Sequence, residues 1–149
     1  MTPLLLLDDL CAEIAALLKD FRLEAGTELR VLPGFLADTG DQSEFLYVMP
    51  RLIGVQDDSG GTTATIAVLI GASAGDGGGW RDCWNLAERI RRGLLQKPAV
   101  SRRFRLELPV KTASPDLETQ PYPEAVCWIT TNWTIPQPME EVNYGDEFK

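Results

Sequence analysis

The sequence contains no histidine, and this absence excludes more chemistry than any other feature of its composition. Histidine is the usual general base near neutral pH, the partner of catalytic serine and cysteine, and a common metal ligand. Catalysis could then use only carboxylate, lysine or tyrosine side chains, and no cluster of these is evident along the chain. We therefore expect a protein that is not an enzyme, with no catalytic, cofactor-binding or metal-binding residues.

Cysteine is scarce as well. Cys11, Cys83 and Cys127 are odd in number and widely separated, and no CxxC pair occurs. This spacing predicts neither a zinc site nor a disulfide framework. We expect all three to be small, buried, reduced thiols.

Long hydrophobic runs are also missing. The opening stretch MTPLLLLDDL has no basic region, and Asp8 and Asp9 interrupt its leucines, so neither a signal peptide nor a membrane span is predicted. The longest apolar run, IAVLIGASA, has the length of a strand. We expect no membrane partner and a location in the cytoplasm of the cell that makes the protein. The 149 residues suffice for one domain with a core.

Acidic residues outnumber basic ones, and the two kinds are concentrated in different segments of the chain. The net charge of −8 argues against specific nucleic-acid binding. Residues 81–111 nevertheless hold nine basic and three acidic side chains, while residues 1–80 hold four basic and twelve acidic ones. Residues 112–149 contain one basic and seven acidic side chains. The sequence is therefore acidic, then basic, then acidic.

Apolar residues at helical spacing predict two helices, at about residues 4–23 and 80–97. Asp8 and Asp9 are expected at the N-terminal end of the first helix, and Gly26 is expected to stop it. Arg91 and Arg92 are expected near the end of the second helix. The expected buried stripe of the second helix consists of Cys83, Leu86, Ala87, Ile90 and Leu94.

Alternating or continuous apolar residues predict five strands, at residues 28–32, 44–58, 62–71, 103–110 and 124–135. The second and third should form a hairpin, with Pro50 at an edge, a bulge or a break. The third is expected to be central and covered on both faces. In the fourth, Phe104, Leu106, Leu108 and Val110 should share one face, and the last should bury Cys127, Ile129, Thr131, Trp133 and Ile135.

These elements predict an α+β fold: a two-layer sandwich of a mostly antiparallel or mixed sheet with two amphipathic helices packed on one face. Residues 1–136 should form a single domain. Residues 137–149 form an acidic, Pro-containing tail that we expect to be flexible, or to order only on a partner.

The stretch GASAGDGGGW, residues 71–80, lies between a predicted strand and a predicted helix, where many proteins hold phosphate. A P-loop needs a lysine and a hydroxyl residue after its last glycine, and Trp80 stands there instead. The dinucleotide pattern that starts at Gly75 and Gly77 would also need glycine where Trp80 lies. Asp76 would repel a phosphate. We interpret the stretch as a flexible connection that binds no nucleotide.

Four segments occur in an order that resembles the tail-completion, or tail-terminator, proteins of long-tailed bacteriophages and prophages. They are PRLIGVQDD, ATIAVLIGASAGDGGGWRDCWNLAERIRRGLLQ, RFRLELPV and QPYPEAVCWITTNWTIPQP. The matching helix pattern comprises Gly79, Trp80, Arg81, Asp82, Asn85, Leu86, Glu88, Arg89, Ile90 and Arg91. Residues 120–123 and 133–136 match two later motifs, and the resemblance covers about the last two-thirds of the chain.

The resemblance implies a structural role in the virion, with assembly in the cytoplasm of a bacterial host. Such proteins form a ring, commonly a hexamer, on the head-proximal end of the tail tube, where they stop tube growth and meet the neck. The implied partners are further copies of the chain, the major tail tube protein and a neck or head-completion protein. The family supplies no catalytic residues and no cofactor.

A closed ring requires a head-to-tail interface between two different patches of one subunit, and opposite charges suit such a joint. We expect one side of the joint to contain some or all of the six clustered arginines, with these away from the channel through which DNA passes. The acidic partner could be the pair at 57–58 or the pair at 140–141. The candidate interface residues are Arg89, Arg91, Arg92, Arg102, Arg103, Arg105, Asp57, Asp58, Glu140 and Glu141.

Two other interpretations stay open. A head-closure or neck protein of the same particle would have similar properties. A small enzyme or ligand-binding domain that uses carboxylates belongs to another class, and it would need paired carboxylates that converge in a deep pocket. The glycine-rich stretches DDSGG and GASAGDGGG are long for simple connections, and they could be loops that order against a neighbouring protein or simple surface loops.

Overall fold

The structure is a computed structural model that describes residues 2–19, 29–31, 33, 46–73, 79–115 and 124–136. Within these ranges lie two helices and six strands. In chain order they are α1 (Pro3–Leu17), β1 (Leu29–Val31), β2 (Leu46–Asp58), β3 (Gly61–Ser73), α2 (Gly79–Gln96), β4 (Ala99–Val100), β5 (Phe104–Ala113) and β6 (Glu124–Ile135). The expected tail at 137–149 and residues 74–78 of the glycine-rich stretch lie outside the described residues.

The six strands form one mixed sheet in the order β1-β2-β3-β6-β5-β4. β1 runs parallel to β2, and every other neighbouring pair is antiparallel. Both helices contribute to one core cluster on a single face of the sheet, with α2 packed mainly on β6 and β3 and α1 on β2. The predicted α+β class is confirmed.

α2 packs through the stripe that its periodicity predicts. All five expected residues of this stripe are buried, and burial of an apolar side chain of Leu or Ile size contributes roughly 1.5–3 kcal/mol. In the same core cluster, the fully buried Trp133 of β6 donates its indole N–H to the Thr131 hydroxyl at 2.8 Å. Thr131 in turn donates to the carbonyl of Ile66 at 2.8 Å, so the polar atoms at this point of the core are paired.

α1 starts close to its predicted position but ends earlier than its sequence pattern predicts. Thr2 is the N-cap and accepts a hydrogen bond from the amide of Leu5 at 3.1 Å, and Pro3 opens the helix. Asp8 and Asp9 therefore lie in the second turn, and their expected place at the N-terminal end is wrong. The helix ends at Leu17 instead of residue 23 because Leu18 leaves helical geometry. The expected stop at Gly26 lies outside the described residues.

The predicted β2–β3 hairpin is confirmed, and its turn is tighter than expected. Only Ser59 and Gly60 separate the strands, and Gly61 adopts φ +130°, which favours glycine. The expectation of a long DDSGG loop is therefore wrong. β2 continues through Pro50, which pairs with Val68 beyond the short partner β1, where the missing amide donor is tolerated.

β3 is central, as expected, but only one of its faces is fully covered. Its even-numbered residues from Thr62 to Ala72 are buried under the helices, whereas Thr63, Thr65, Ala67 and Leu69 on the other face are half-buried. The expectation of cover on both faces is wrong for these four positions. Further along that second face, Tyr47 and Met49 of β2 form a small buried cluster with Leu69.

β5 departs from the predicted alternation at its centre. Glu107 pairs with Asn132 but Lys111 pairs with Thr130, so three residues of β5 stand opposite Thr131 alone. This irregularity turns Leu108 outward, and its side chain is 74% exposed. Phe104 and Leu106 are buried as predicted, while the predicted burial of Leu108 on the same face is wrong.

The close approach of β2 and β3 at Gly71 makes a direct test of this packing. A Cβ atom at Gly71 would overlap the Tyr47 ring, while a Cβ at Gly54 would meet nothing within 4 Å. We predict that Gly71→Ala lowers the free energy of unfolding by about 1–3 kcal/mol because the ring must move. Gly54→Ala is the matched control and should change it by less than about 0.5 kcal/mol. Urea unfolding measures both, and equal effects would contradict the packing described.

Candidate functional site

The six arginines of the predicted interface fall into two separate groups. Arg89, Arg91 and Arg92 lie on α2, before its last turn. The other three, at 102, 103 and 105, lie in the β4–β5 hairpin. Arg89 and Arg92 line one hollow and the three hairpin arginines line another, so the structure does not gather all six into one patch.

Arg89 acts within its own chain. Its Nε donates to the carbonyl oxygen of Leu17 at 3.0 Å, which caps the C-terminal end of α1. The last carbonyls of a helix lack helical partners, and a cation at that end also matches the helix dipole. α2 therefore holds α1 through this side chain, and Arg89 has a structural role whether or not it also lies at a joint.

Arg91 is engaged by Glu88 on the same helix. Two parallel hydrogen bonds join them, from Nε to Oε2 at 3.1 Å and from Nη2 to Oε1 at 2.6 Å. The hydrogen bond from Arg91 is the main cause that lowers the pKa of Glu88. Because the pair is exposed, it contributes little to stability, but it fixes the direction of both side chains.

The second group of arginines is presented by a tight turn between β4 and β5. Ser101 and Arg102 adopt φ values of 55° and 60°, and the amide of Arg103 donates to the carbonyl of Val100 at 3.2 Å. Two successive residues with positive φ are typical of a type I′ hairpin turn. This turn places Arg102 at the tip of an edge hairpin.

A groove runs beside this hairpin, and we call it the β4–β5 groove. It consists of two adjoining hollows of about 360 and 430 Å³ that share Pro98 and Arg105. One end is basic, with Arg102 and Arg103, and the other is mainly apolar, with leucines at 95, 106 and 108. The mainly apolar end also contains the carboxylate of Glu107, which accepts a hydrogen bond from the Thr134 hydroxyl at 2.8 Å. The groove therefore combines positive charge with exposed apolar surface.

The acidic candidates Asp57 and Asp58 lie at the other side of the sheet. Both are exposed at the β2–β3 tip, where Asp57 accepts a hydrogen bond from the Thr62 hydroxyl and Asp58 accepts one from the amide of Gly60 at 2.8 Å. We call this pair the acidic tip. Because the acidic tip forms part of a hairpin turn, its carboxylates are held in place by their own loop.

The strand register fixes how the acidic tip and the β4–β5 groove are related. Asp57 pairs with Thr62, Thr62 with Ile135, and the neighbouring Thr134 with Arg105. Both patches thus lie at the same end of the strands, but β3 and β6 separate β2 from β5. The positive and negative patches therefore lie at opposite lateral edges of the sheet. The other acidic candidates, Glu140 and Glu141, lie outside the described residues.

Sequence reasoning missed three exposed apolar side chains on one side of α2. Trp80 and Trp84 are 51% and 40% exposed, and Leu95, 38% exposed, lies on the same side of the helix as both. The guanidinium carbon of Arg81 lies 4.7 Å from the centre of the Trp80 ring, which is a cation–π contact. Helical spacing could have predicted this exposure, because it places these three residues on one side of α2, away from the centre of the buried stripe. Exposed tryptophan is enriched at protein–protein contacts.

The cysteines only partly match the expectation of three buried thiols. Cys83 and Cys127 are buried, and the Cys83 thiol donates to the carbonyl of Ala125 at 3.2 Å. The hydrogen bond with Cys127, followed by burial, raises the pKa of Cys83. Cys11 is only half-buried, which corrects the expectation, and burial followed by the charge of Asp8 raises its pKa to about 11.

Metal binding and membrane insertion find no support in the described ranges. There, no group of three or more acidic, cysteine or histidine side chains is arranged to hold a metal ion. Neither described helix has the length and hydropathy of a membrane span.

Comparison with known proteins gives no family assignment. No protein-family model matches the chain, and no curated protein matches it. Among solved structures, the chain is similar to one in a structure described as the virion of a native gene transfer agent particle. The two are 16% identical, the match covers 85% of this chain and 93% of that one, and the TM-score is 0.44. A likeness of this degree leaves the function to be argued from the residues themselves.

The cap that Arg89 provides predicts a selective loss of stability. We expect Arg89→Met to lower the free energy of unfolding by about 1 kcal/mol because the Leu17 carbonyl loses its charged donor. Arg92→Met, on the same helix, is the matched control and should change it by less than about 0.5 kcal/mol. Thermal or urea unfolding measures both. If the two variants are equally stable, the cap does not contribute.

The raised pKa of Cys11 predicts its chemical behaviour. The thiolate is the reactive form, and at pH 8 a thiol with a pKa of about 11 contains roughly a hundredfold less of it than an ordinary thiol. We expect native Cys11 to react with iodoacetamide about a hundredfold more slowly than in urea, with a rate that rises about tenfold per pH unit from about pH 7 to 10. Mass spectrometry follows each cysteine separately. Equal rates of Cys11 modification in the native and the unfolded protein would contradict a raised pKa.

Proposed function

We propose that this chain is a structural virion protein that caps the head-proximal end of a phage tail tube. In this role it forms a ring of identical subunits, commonly a hexamer in the family it resembles, and provides the joint to the neck. The ordered set of tail-terminator-like motifs from residue 50 to residue 138 is the sequence feature that supports this role.

The observation that carries the proposal is the position of opposite charges at opposite edges of one sheet. A head-to-tail interface needs two different, complementary patches on each subunit, and a rotation that brings the last subunit back to the first. The acidic tip on β2 and the basic end of the β4–β5 groove meet the first requirement. Opposite potentials across each joint favour correct association and fix its register.

The positions of the charges within the described ranges make the acidic tip the acidic partner that we propose. The acidic tip lies across the sheet from the basic end of the groove, so the tip of one subunit can meet the groove of the next. We therefore propose the acidic tip and the hairpin arginines, Arg102, Arg103 and Arg105, as the two sides of the joint. Arg89 and Arg91 lie on α2, outside the β4–β5 groove, where Arg89 caps α1 and Arg91 pairs with Glu88, so we rank them below the hairpin arginines.

Much of the matching helix motif has a structural explanation in this fold. Leu86 and Ile90 are core residues of α2, and Arg89 caps α1. Trp133, from the later motif, is fully buried in β6. A ring-forming subunit needs such a rigid body, because both halves of a joint must keep a fixed angle for the ring to close.

A head-closure or neck protein of the same particle is the alternative within this class.

The alternative of another class, an enzyme or a ligand-binding domain, needs carboxylates that converge in a pocket. The hollow beside the acidic tip, about 330 Å³ in volume, contains one carboxylate, Asp58, together with Thr63, Thr65 and Asn132. The Thr65 hydroxyl donates to Asn132 Oδ1 at 2.8 Å across this hollow. A lone carboxylate among amide and hydroxyl groups does not favour acid–base catalysis.

Charge reversal separates the two groups of arginines. We predict that Arg102→Glu with Arg105→Glu weakens self-association about tenfold or more per joint, because two exposed attractive pairs become repulsive. Arg91→Glu with Arg92→Glu, the matched change on α2, should weaken it less. Light scattering at low salt measures the mass of each variant. Assembly that is unchanged by the hairpin substitutions would remove those arginines from the joint.

Electron microscopy of particles assembled without this protein tests the role itself. We expect tails of excessive length, because nothing then stops the tube. Tails of normal length that are detached from heads would instead indicate the neck role, and complete particles of normal form would contradict both.

A further inference from the structure

The described fold ends next to the β4–β5 groove, and residues 137–149, the C-terminal tail, follow it in the chain. β6 ends at Ile135, and Thr134 is the register partner of Arg105. Thirteen residues follow Pro136, and an extended segment of that length reaches about 40 Å. The whole groove is therefore within reach of a segment that starts one strand away from Arg105.

The groove offers this segment two kinds of contact. At its basic end, neither Arg102 nor Arg105 forms an ion pair with another residue of the described ranges. At its apolar end, Leu95 and Leu108 are 38% and 74% exposed. Exposed leucines next to such guanidinium groups suit a peptide that contains both carboxylates and apolar side chains.

The tail has that composition. Its acidic residues are Glu140, Glu141, Asp146 and Glu147, and its larger apolar residues are Met139, Val142, Tyr144 and Phe148. Lys149 is its one basic residue. The tail therefore matches the groove in charge and in apolar character.

We propose that residues 137–149 bind in the β4–β5 groove of their own chain. Carboxylates of the tail pair with Arg102 and Arg105, and its apolar side chains cover Leu95 and Leu108. Binding within one chain is favoured because a short tether gives the tail an effective concentration on the order of millimolar at the groove. In the free subunit the tail then shields the groove, and the acidic tip of a neighbour must displace it. Tail binding itself does not depend on the virion role.

Proteolysis of the full-length chain tests this proposal. Chymotrypsin can cut after Tyr144 and Phe148, and mass spectrometry follows the loss of these ends. At low salt, and at a concentration where light scattering shows monomers, we expect the tail of the wild-type protein to be cut about tenfold more slowly than that of the Arg102→Glu, Arg105→Glu double variant, because bound segments resist cleavage. Arg92→Glu, outside the groove, is the matched control and should keep wild-type protection. Circular dichroism checks that each variant is folded.

Charge restoration makes the test specific. Adding Glu140→Arg and Glu141→Arg to the groove double variant should restore protection, because the attraction is rebuilt with reversed signs. Equal cleavage of the wild-type and groove-variant tails would overturn the proposal. Protection that is lost when the protein is diluted would also overturn it, because the tail would then be binding a second copy. Since the assay uses the free protein, its outcome is independent of the tests of the virion role.

Discussion

The packing of α2 on the paired strands β3 and β6 is the contact on which the rest of the structure depends. Its buried stripe belongs to the same core cluster as Trp133 and the even-numbered apolar residues of β3. From this position α2 caps α1 through Arg89 and ends just before Pro98, where the β4–β5 hairpin begins. A shift of α2 would therefore move the other helix and the basic hairpin together.

The placement of charge follows from this framework. The tight turns at Ser59–Gly60 and Ser101–Arg102 hold the acidic tip and the basic hairpin on the same sheet, with two strands between β2 and β5. A rigid sheet keeps the two patches at a constant angle, which is what a closing ring requires. If the tail occupies the groove of the free subunit, it competes with the tip of a neighbour, and assembly then depends on the balance between two sets of exposed ion pairs. Such a balance is sensitive to salt.

Sequence patterns predicted the elements whose burial is set by regular geometry. The stripe of α2 and the alternation of β6 are confirmed because every residue predicted to be buried there lies in the core of the same chain. The pattern failed at Leu108, where an irregular register turns the side chain outward. It also placed the end of α1 about six residues too late, because Leu18 leaves helical geometry. The division of the arginines into two groups could not be predicted, since it depends on which hollow each side chain lines.

The most direct measurement of the central claim mixes two charge-reversed proteins. One contains Asp57→Lys and Asp58→Lys, and the other contains Arg102→Glu and Arg105→Glu. Each alone presents like charges at every joint, whereas an alternating mixture restores opposite charges throughout. Native mass spectrometry at low salt should show each variant as monomers and the mixture as closed assemblies with equal numbers of both, as large as those of the wild type. Assemblies formed equally well by either variant alone, or a mixture that stays monomeric while the wild type associates, would contradict the account.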